Sequence, residues 1–204
     1  MIAGAIAAFA RSISGASVHW VKPLAGEKQR VFFGNHGSHL DFVVIWASLP
    51  ADVRRVTRPV AGGDYWGRGR LRRYVAVNVF QAILVERNSG PPAVDRASEA
   101  IEHIAREMGS ASNIIVFPEG TRSRDGALLP FKSGIYHLCR MKPELELVPV
   151  YLAHMSRILP KGELVPVPLR GRVTFGPPLT LLANEDKDAF LTRAREALAS
   201  LKDQ

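Results

Sequence analysis

Two short segments, about eighty residues apart, hold the side chains best suited to chemistry. The first is Asn35-His36-Gly37-Ser38-His39-Leu40-Asp41, and the second is Phe117-Pro118-Glu119-Gly120-Thr121-Arg122-Ser123. The first offers an imidazole and, five positions on, a carboxylate that can orient it. A carboxylate on one ring nitrogen fixes the tautomer and stabilises the imidazolium. The other nitrogen is then free to take a proton from a hydroxyl. General-base catalysis of this kind contributes roughly 10² to 10⁴ in rate. The second segment joins a permissive Gly120 to the planar cation of Arg122. Thr121, Ser123 and backbone N–H groups add donors, a set that suits a phosphate. Glu119 can hold either Arg122 or a substrate hydroxyl. Together the segments predict activation of a hydroxyl on a molecule that bears a phosphate.

Each segment also has a purely structural explanation. Ser38 and Asp41 fit a capping box, with Ser38 as N-cap and Asp41 at the third helical position. The two explanations are compatible, since such a cap can organise the turn that presents His36. His39 is a competing base, but it sits inside the helix start, two residues from Asp41, where the geometry is poorer. Asn35 can brace the loop, and Gly37 lets a substrate approach the backbone. An isolated Glu-Gly-Thr-Arg also fits a strand-to-loop turn with a surface ion pair. Lys132, at a predicted helix start, is a candidate second cation for the anion. Arg87, at the end of Ile83-Leu84-Val85-Glu86-Arg87, is a third. Each alone would read as solvated surface charge.

The elements that must position these groups follow from periodicity. Arg30 to Phe33 is a short apolar run ending at Gly34, which predicts a buried strand. Leu40, Val43, Val44 and Ala47 stand at helical spacing within 38–48, and Pro50 stops that helix. Val56 to Ala61 predicts a weaker strand, and another lies near Ala82 to Val85 within the apolar stretch 75–85. Pro91-Pro92 opens a helix with Val94, Ala97, Ile101, Ile104 and Met108 as its stripe, closed by Gly109. Asn113 to Phe117 is the clearest buried strand. A short helix over 133–141 and a strand over 145–152 follow. Pro149 places that residue at a sheet edge or a break. Extended segments are predicted over 164–169 and 172–175. A last helix is capped by Asn184, with Phe190, Leu191, Ala194, Leu198 and Leu201 facing the core. Strands alternate with helices, so the fold class is α/β, a single domain over 1–204 with a mixed, largely parallel sheet flanked by helices. Both chemical segments follow predicted strands immediately, where ligands of such sheets bind.

Composition narrows the partners. The 204 residues are 47% hydrophobic and 23% charged, ordinary for a globular chain, with a net charge of +8. That charge, and a pI near 10.1, call for an anionic partner. Arg54, Arg55, Arg58, Arg68, Arg70, Arg72 and Arg73 crowd one segment, either as a solvated face or as a patch for lipid head groups or phosphates. Cys139 is the only cysteine, which rules out an intrachain disulfide and fits a reducing compartment. No cysteine–histidine cluster reaches the count of a zinc site, and no metal is expected. Met1 to Ala10 is apolar, but a bilayer span needs about twenty residues. With five alanines and a glycine this segment would anchor only weakly.

The motifs, in their order, resemble those of the glycerolipid acyltransferase family, typified by 1-acyl-glycerol-3-phosphate acyltransferases. His36 and Asp41 match that family's histidine and aspartate, and Phe117 through Ser123 matches its second block in full. Ile83 to Arg87 resembles a further block, with Glu86 where an aspartate is commoner. Val148-Pro149-Val150 resembles a short block that tends to line the substrate cleft. The resemblance spans about Val31 to Val150, within a motif-bearing core of 31–150.

The resemblance implies a glycerol-3-phosphate acyltransferase-like fold. It also implies transfer of an acyl group from a coenzyme A or acyl-carrier-protein thioester to the free hydroxyl of a lysophospholipid. His36 would be the base and Asp41 its orienter. Glu119, Gly120, Thr121 and Arg122 would bind the acceptor phosphate, assisted by Arg87 and Lys132. The acyl thioester is a co-substrate, and no resident cofactor is implied. The implied partners are the thioester donor, the lysophospholipid acceptor, an anionic membrane surface and, for one donor type, acyl carrier protein. A peripheral protein at the inner face of the cytoplasmic membrane is expected, docking through residues 1–10 (within a membrane-associating segment 1–29), Trp20 and the arginine-rich segment.

Three other classes compete. A serine hydrolase would need a Gly-x-Ser-x-Gly elbow, which this sequence lacks. A nucleic-acid binder would use the aromatics and arginines of 65–74, but this leaves His36, Asp41 and the Glu119 segment without a purpose. A lipid-binding module with lapsed chemistry would not need both the histidine and the aspartate.

Overall fold

Alternation of side chains along the strands divides this molecule into layers. The computed structural model describes residues 4, 16–38, 41–67, 69–86, 93–123, 126–153 and 171–204, with backbone alone for 93–96. Its strands are β1 (Ser17–Trp20), β2 (Arg30–Gly34), β3 (Thr57–Gly62), β4 (Ile83–Val85), β5 (Asn113–Val116), β6 (Glu146–Ala153) and β7 (Arg172–Phe175). They form one sheet in the order β1-β7-β6-β2-β5-β3-β4. Every neighbouring pair is parallel except β6 and β7. This is the mixed, largely parallel α/β sheet that the sequence predicts.

The period-2 pattern sends successive residues to opposite faces. Phe32, Ile115 and Val148 join one core cluster with Phe42, Ile45 and Trp46 of α1 (Asp41–Ser48). Val31, Phe33, Ile114 and Leu147 join the other. There they meet Ile104 and Met108 of the helix Ala93–Met108, Ile135 and Leu138 of Gly134–Met141, and Phe190, Ala194 and Leu198 of Lys187–Ala199. Strands covered on both faces need to be apolar throughout, which is why Val31, Phe32 and Phe33 are all 0% exposed. No helix among the described residues is long and apolar enough to cross a membrane.

Several expectations need correction. The stretch before the first motif holds β1, whose short, exposed Ser-Val-His-Trp gave no strand signal; pairing with β7 and stacking of Trp20 on Phe175 at 3.9 Å hold it in place. Trp20 is therefore packed on the core and is not a free membrane anchor. The strand expected near Ala82 to Val85 is present as β4, and the apolar residues before it, Val75–Val79, form a π turn closed by Phe80 N–H to Val75 O. The last helix is capped by Asp186, whose carboxylate accepts from the N–H groups of Asp188 and Ala189. Asn184 instead takes a left-handed turn at φ 62°. Pro149 sits at a break and not an edge, since β6 is internal. The β6–β7 register slips between the Val150–Phe175 pair and the Leu147–Leu179 bridge, and Pro149 lies at that slip. The arginine segment also divides. Arg58 is tied to Gln81 and Glu107, and Arg54 to Leu49, whereas Arg55, Arg70, Arg72 and Arg73 are exposed. His39, Arg68, Arg87, Pro91-Pro92, the Val94 side chain, residues 164–169 and, apart from Gly4, residues 1–10 lie outside the described residues.

Candidate active site

The site forms because β2 and β5 are adjacent and parallel. Their register pairs Phe33 with Val116, so both chains leave the sheet at the same edge. Extending that register by three residues brings His36 level with Glu119. Gly34 closes β2 where space runs out: a Cβ there would lie 2.9 Å from the Val150 carbonyl oxygen and 3.2 Å from Ile45 Cδ1. Asn35 then locks the exit, with its side-chain oxygen accepting from Leu152 N–H and its amide donating to Leu152 O.

His36 and Asp41 come together as expected. The imidazole Nδ1 lies 2.9 Å from Asp41 Oδ2. The same oxygen accepts from Gly37 N–H at 2.7 Å and Ser38 N–H at 2.8 Å. The Ser38 bond is the return half of a capping box, so the cap and the His36–Asp41 pair are one structure. Asp41 is 1% exposed, and its Oδ1 has no hydrogen-bond partner among the described residues. A buried carboxylate on Nδ1 keeps the proton of the neutral ring there, leaving the Nε2 lone pair free. Phe117 stacks on the imidazole, with centroids 4.2 Å apart and planes at 15°. It fixes the ring plane, a role the sequence reading did not assign to it.

Glu119 behaves differently from its expectation. It does not pair with Arg122: it is 2% exposed, and Oε1 accepts from His36 N–H at 2.9 Å while Oε2 accepts from Leu129 N–H at 3.0 Å. Burial pushes its carboxyl above the ordinary value, and the N–H donors of Leu129 and His36 pull the other way. Glu119 and Asp41 border a small polar space of about 90 Å³ behind the histidine, with Ser123 and Tyr151.

In front of the histidine lies a larger cavity, of about 370 Å³. His36, Gly120, Arg122 and Lys132 share it, and Ile101, Ile104, Ile135 and Leu138 supply apolar wall. Gly120 has φ 68°, and the Lys132 side chain runs across it: a Cβ there would meet Lys132 Cε at 2.7 Å. Arg122 and Lys132 are exposed, and neither has an ion-pair partner among the described residues. Thr121 is exposed beside them but does not line the cavity. Val148 and Val150 are 0% exposed core residues, not cleft wall. Asp64, Tyr65 and Trp66, unassigned from sequence, form another wall. Tyr65 and Trp66 had signalled themselves only as aromatics beside arginines. Among the described residues no group of three or more histidines, cysteines or acids is gathered as for a metal ion.

A family model described as Acyltransferase matches residues 16–153. The 1-acyl-sn-glycerol-3-phosphate acyltransferase of Limnanthes douglasii is 30% identical over 154 residues, 75% of this chain and 51% of that protein. Its namesake in Escherichia coli (strain K12) is 30% identical over 131 residues, 60% of this chain and 47% of that protein. The chain thus spans about half the length of these curated relatives. The crystal structure of the 1-acyl-sn-glycerophosphate (LPA) acyltransferase PlsC from Thermotoga maritima matches with a TM-score of 0.72 at 19% identity, over 98% of this chain and 78% of that one. At that identity the likeness is one of fold.

Proposed function

The chain belongs to the acyltransferase family, and from that premise we propose that it moves a fatty acyl group from a thioester to the free hydroxyl of 1-acyl-glycerol-3-phosphate, giving phosphatidic acid. The donor is an acyl thioester of coenzyme A or of acyl carrier protein. His36 Nε2 takes the proton of the acceptor hydroxyl, and the oxygen attacks the thioester carbonyl, forming the new C–O bond. The tetrahedral intermediate collapses with cleavage of the C–S bond, and the imidazolium returns its proton to the leaving thiolate. No acyl-enzyme is formed. Asp41 holds the ring and offsets the positive charge that grows on it. Arg122 and Lys132 grip the acceptor phosphate, with Gly120 leaving room for Lys132 and Thr121 at the rim. Glu119 acts indirectly, by holding the His36 backbone. Arg87 keeps the assisting role that the resemblance implies.

The observation that carries this reading is that His36, oriented by Asp41, borders the same cavity as Arg122 and Lys132, two cations with no ion-pair partner among the described residues. Base and anion grip then act on two ends of one acceptor. The relatives' printed names give the acceptor class. The test follows thiol release from long-chain acyl-coenzyme A with lysophosphatidate as acceptor. Acceptor-dependent release with formation of phosphatidic acid is expected. Release unaffected by lysophosphatidate, or by any lysolipid or simple alcohol, defeats the proposal.

A further inference from the structure

Resting on the reading that the acceptor is a membrane lipid, we propose that the helical segment 70–79 is the surface through which this protein docks on an anionic bilayer. Of nine large apolar residues left exposed among the described residues, four fall between positions 65 and 77: Tyr65, Leu71 at 76%, Tyr74 at 57% and Val77 at 41%. Leu71, Tyr74 and Val77 recur every third residue along the helix Arg70–Tyr74 and the π turn that continues it, which sets them on one broad face. Interleaved with them are Arg70, Arg72 and Arg73, all exposed, and 70–79 contains no acidic residue. Aliphatic and aromatic side chains flanked by cations are the composition that inserts at a lipid interface while its charges meet anionic head groups.

Position supports the same occupant. Only 67–69 separates this segment from the helix Gly63–Trp66, whose Asp64, Tyr65 and Trp66 line the cavity shared by His36 and Arg122. A bilayer against 70–79 would therefore lie beside the cavity wall, so a lysolipid could enter without crossing water. Two other occupants fit less well. A single-stranded nucleic acid would use free aromatic faces. One face of Tyr65 is covered by the Arg72 guanidinium at 4.8 Å, and Leu71 and Val77 have none to give. A second copy meeting this face by two-fold symmetry would bring three arginines against three with no acid between them.

The test is co-sedimentation of the full chain with vesicles of phosphatidylcholine alone and of phosphatidylcholine mixed with phosphatidylglycerol. Binding is expected only with the mixed vesicles. It should fall roughly tenfold or more in the triple variant Leu71→Ser, Tyr74→Ser, Val77→Ser, and likewise in Arg70→Gln with Arg73→Gln. None of these residues lines the cavity, so thiol release with a soluble short-chain lysophosphatidate should be unchanged. That readout separates the two proposals: absent thiol release in the wild type counts against acyl transfer, whereas unchanged sedimentation of both variants overturns the docking surface. Tighter binding to a single-stranded oligonucleotide than to the mixed vesicles, or a dimer that the triple variant abolishes, also overturns it.

Discussion

The backbone of His36 is held from both sides by the second motif. Its N–H donates to Oε1 of Glu119 at 2.9 Å, and its carbonyl accepts from Ser123 N–H at 2.8 Å. Two loops that leave neighbouring parallel strands are thereby stitched into one rigid piece. The position of the imidazole depends on the loop that carries Arg122, which gives a physical reason for the two motifs to occur together.

Glu119 should therefore act on turnover more than on acceptor binding. Glu119→Ala strands two N–H donors, at about 1–3 kcal/mol each. With the histidine loosened, kcat should fall roughly 10- to 100-fold while KM for the acceptor moves little. Steady-state kinetics and a melting curve check this together. Burial also raises the Glu119 carboxyl above 4.5, so the folded state holds this proton more tightly than the unfolded chain. The stability it brings is full below 4.5 and is lost as pH rises through the raised value. Glu119→Gln should lack that part of the decline in a melting series against pH.

Asp41→Asn keeps the volume but removes the charge that meets His36 Nδ1 and the N–H groups of Gly37 and Ser38. The expected loss in kcat is roughly 10² to 10⁴, since the wrong tautomer leaves no lone pair for the hydroxyl proton. A fold retained by circular dichroism at normal KM would place the loss in the chemistry.

Gly120 combines a left-handed backbone with a Lys132 side chain laid over it. Gly120→Ala strains the turn and displaces Lys132 in one step. KM for lysophosphatidate should rise by about tenfold, and Lys132→Ala should raise it similarly. The two changes should not add in the double variant, because they remove the same contact.

Cys139 is buried at 2% exposure, and burial pushes its thiol up to about 12. As the chain's only cysteine it is a clean reporter. A thiol reagent at mildly alkaline pH should leave native protein unlabelled and titrate one thiol in denaturant.

How much of this was legible in the sequence depends on how local the signal was. The runs 30–33 and 113–117 announce buried strands because both faces are covered, and they place the motifs correctly at strand exits. The cap at Ser38 and Asp41 was legible for the same reason, since it involves neighbours in sequence. Glu119 was misread because Arg122 is near in sequence, whereas the parallel β2–β5 register brings His36 level with it. β1 was missed because its strand state rests on β7, more than 150 residues on. The strand near Ala82 to Val85 was legible within the apolar stretch 75–85, whereas the π turn at Val75–Val79 was not, because its β-branched residue types carry no helical signal.

The central claim is that one cavity presents a base at one end and an anion grip at the other. Its most direct measurement compares lysophosphatidate with its phosphate-free counterpart, 1-monoacylglycerol, as acceptors for wild type, His36→Ala and Arg122→Ala. His36→Ala should abolish turnover of both. Arg122→Ala should raise KM roughly ten- to hundred-fold for lysophosphatidate alone, leaving the monoacylglycerol unaffected. Equal losses on the two acceptors in Arg122→Ala, or sustained turnover in His36→Ala, would contradict the account.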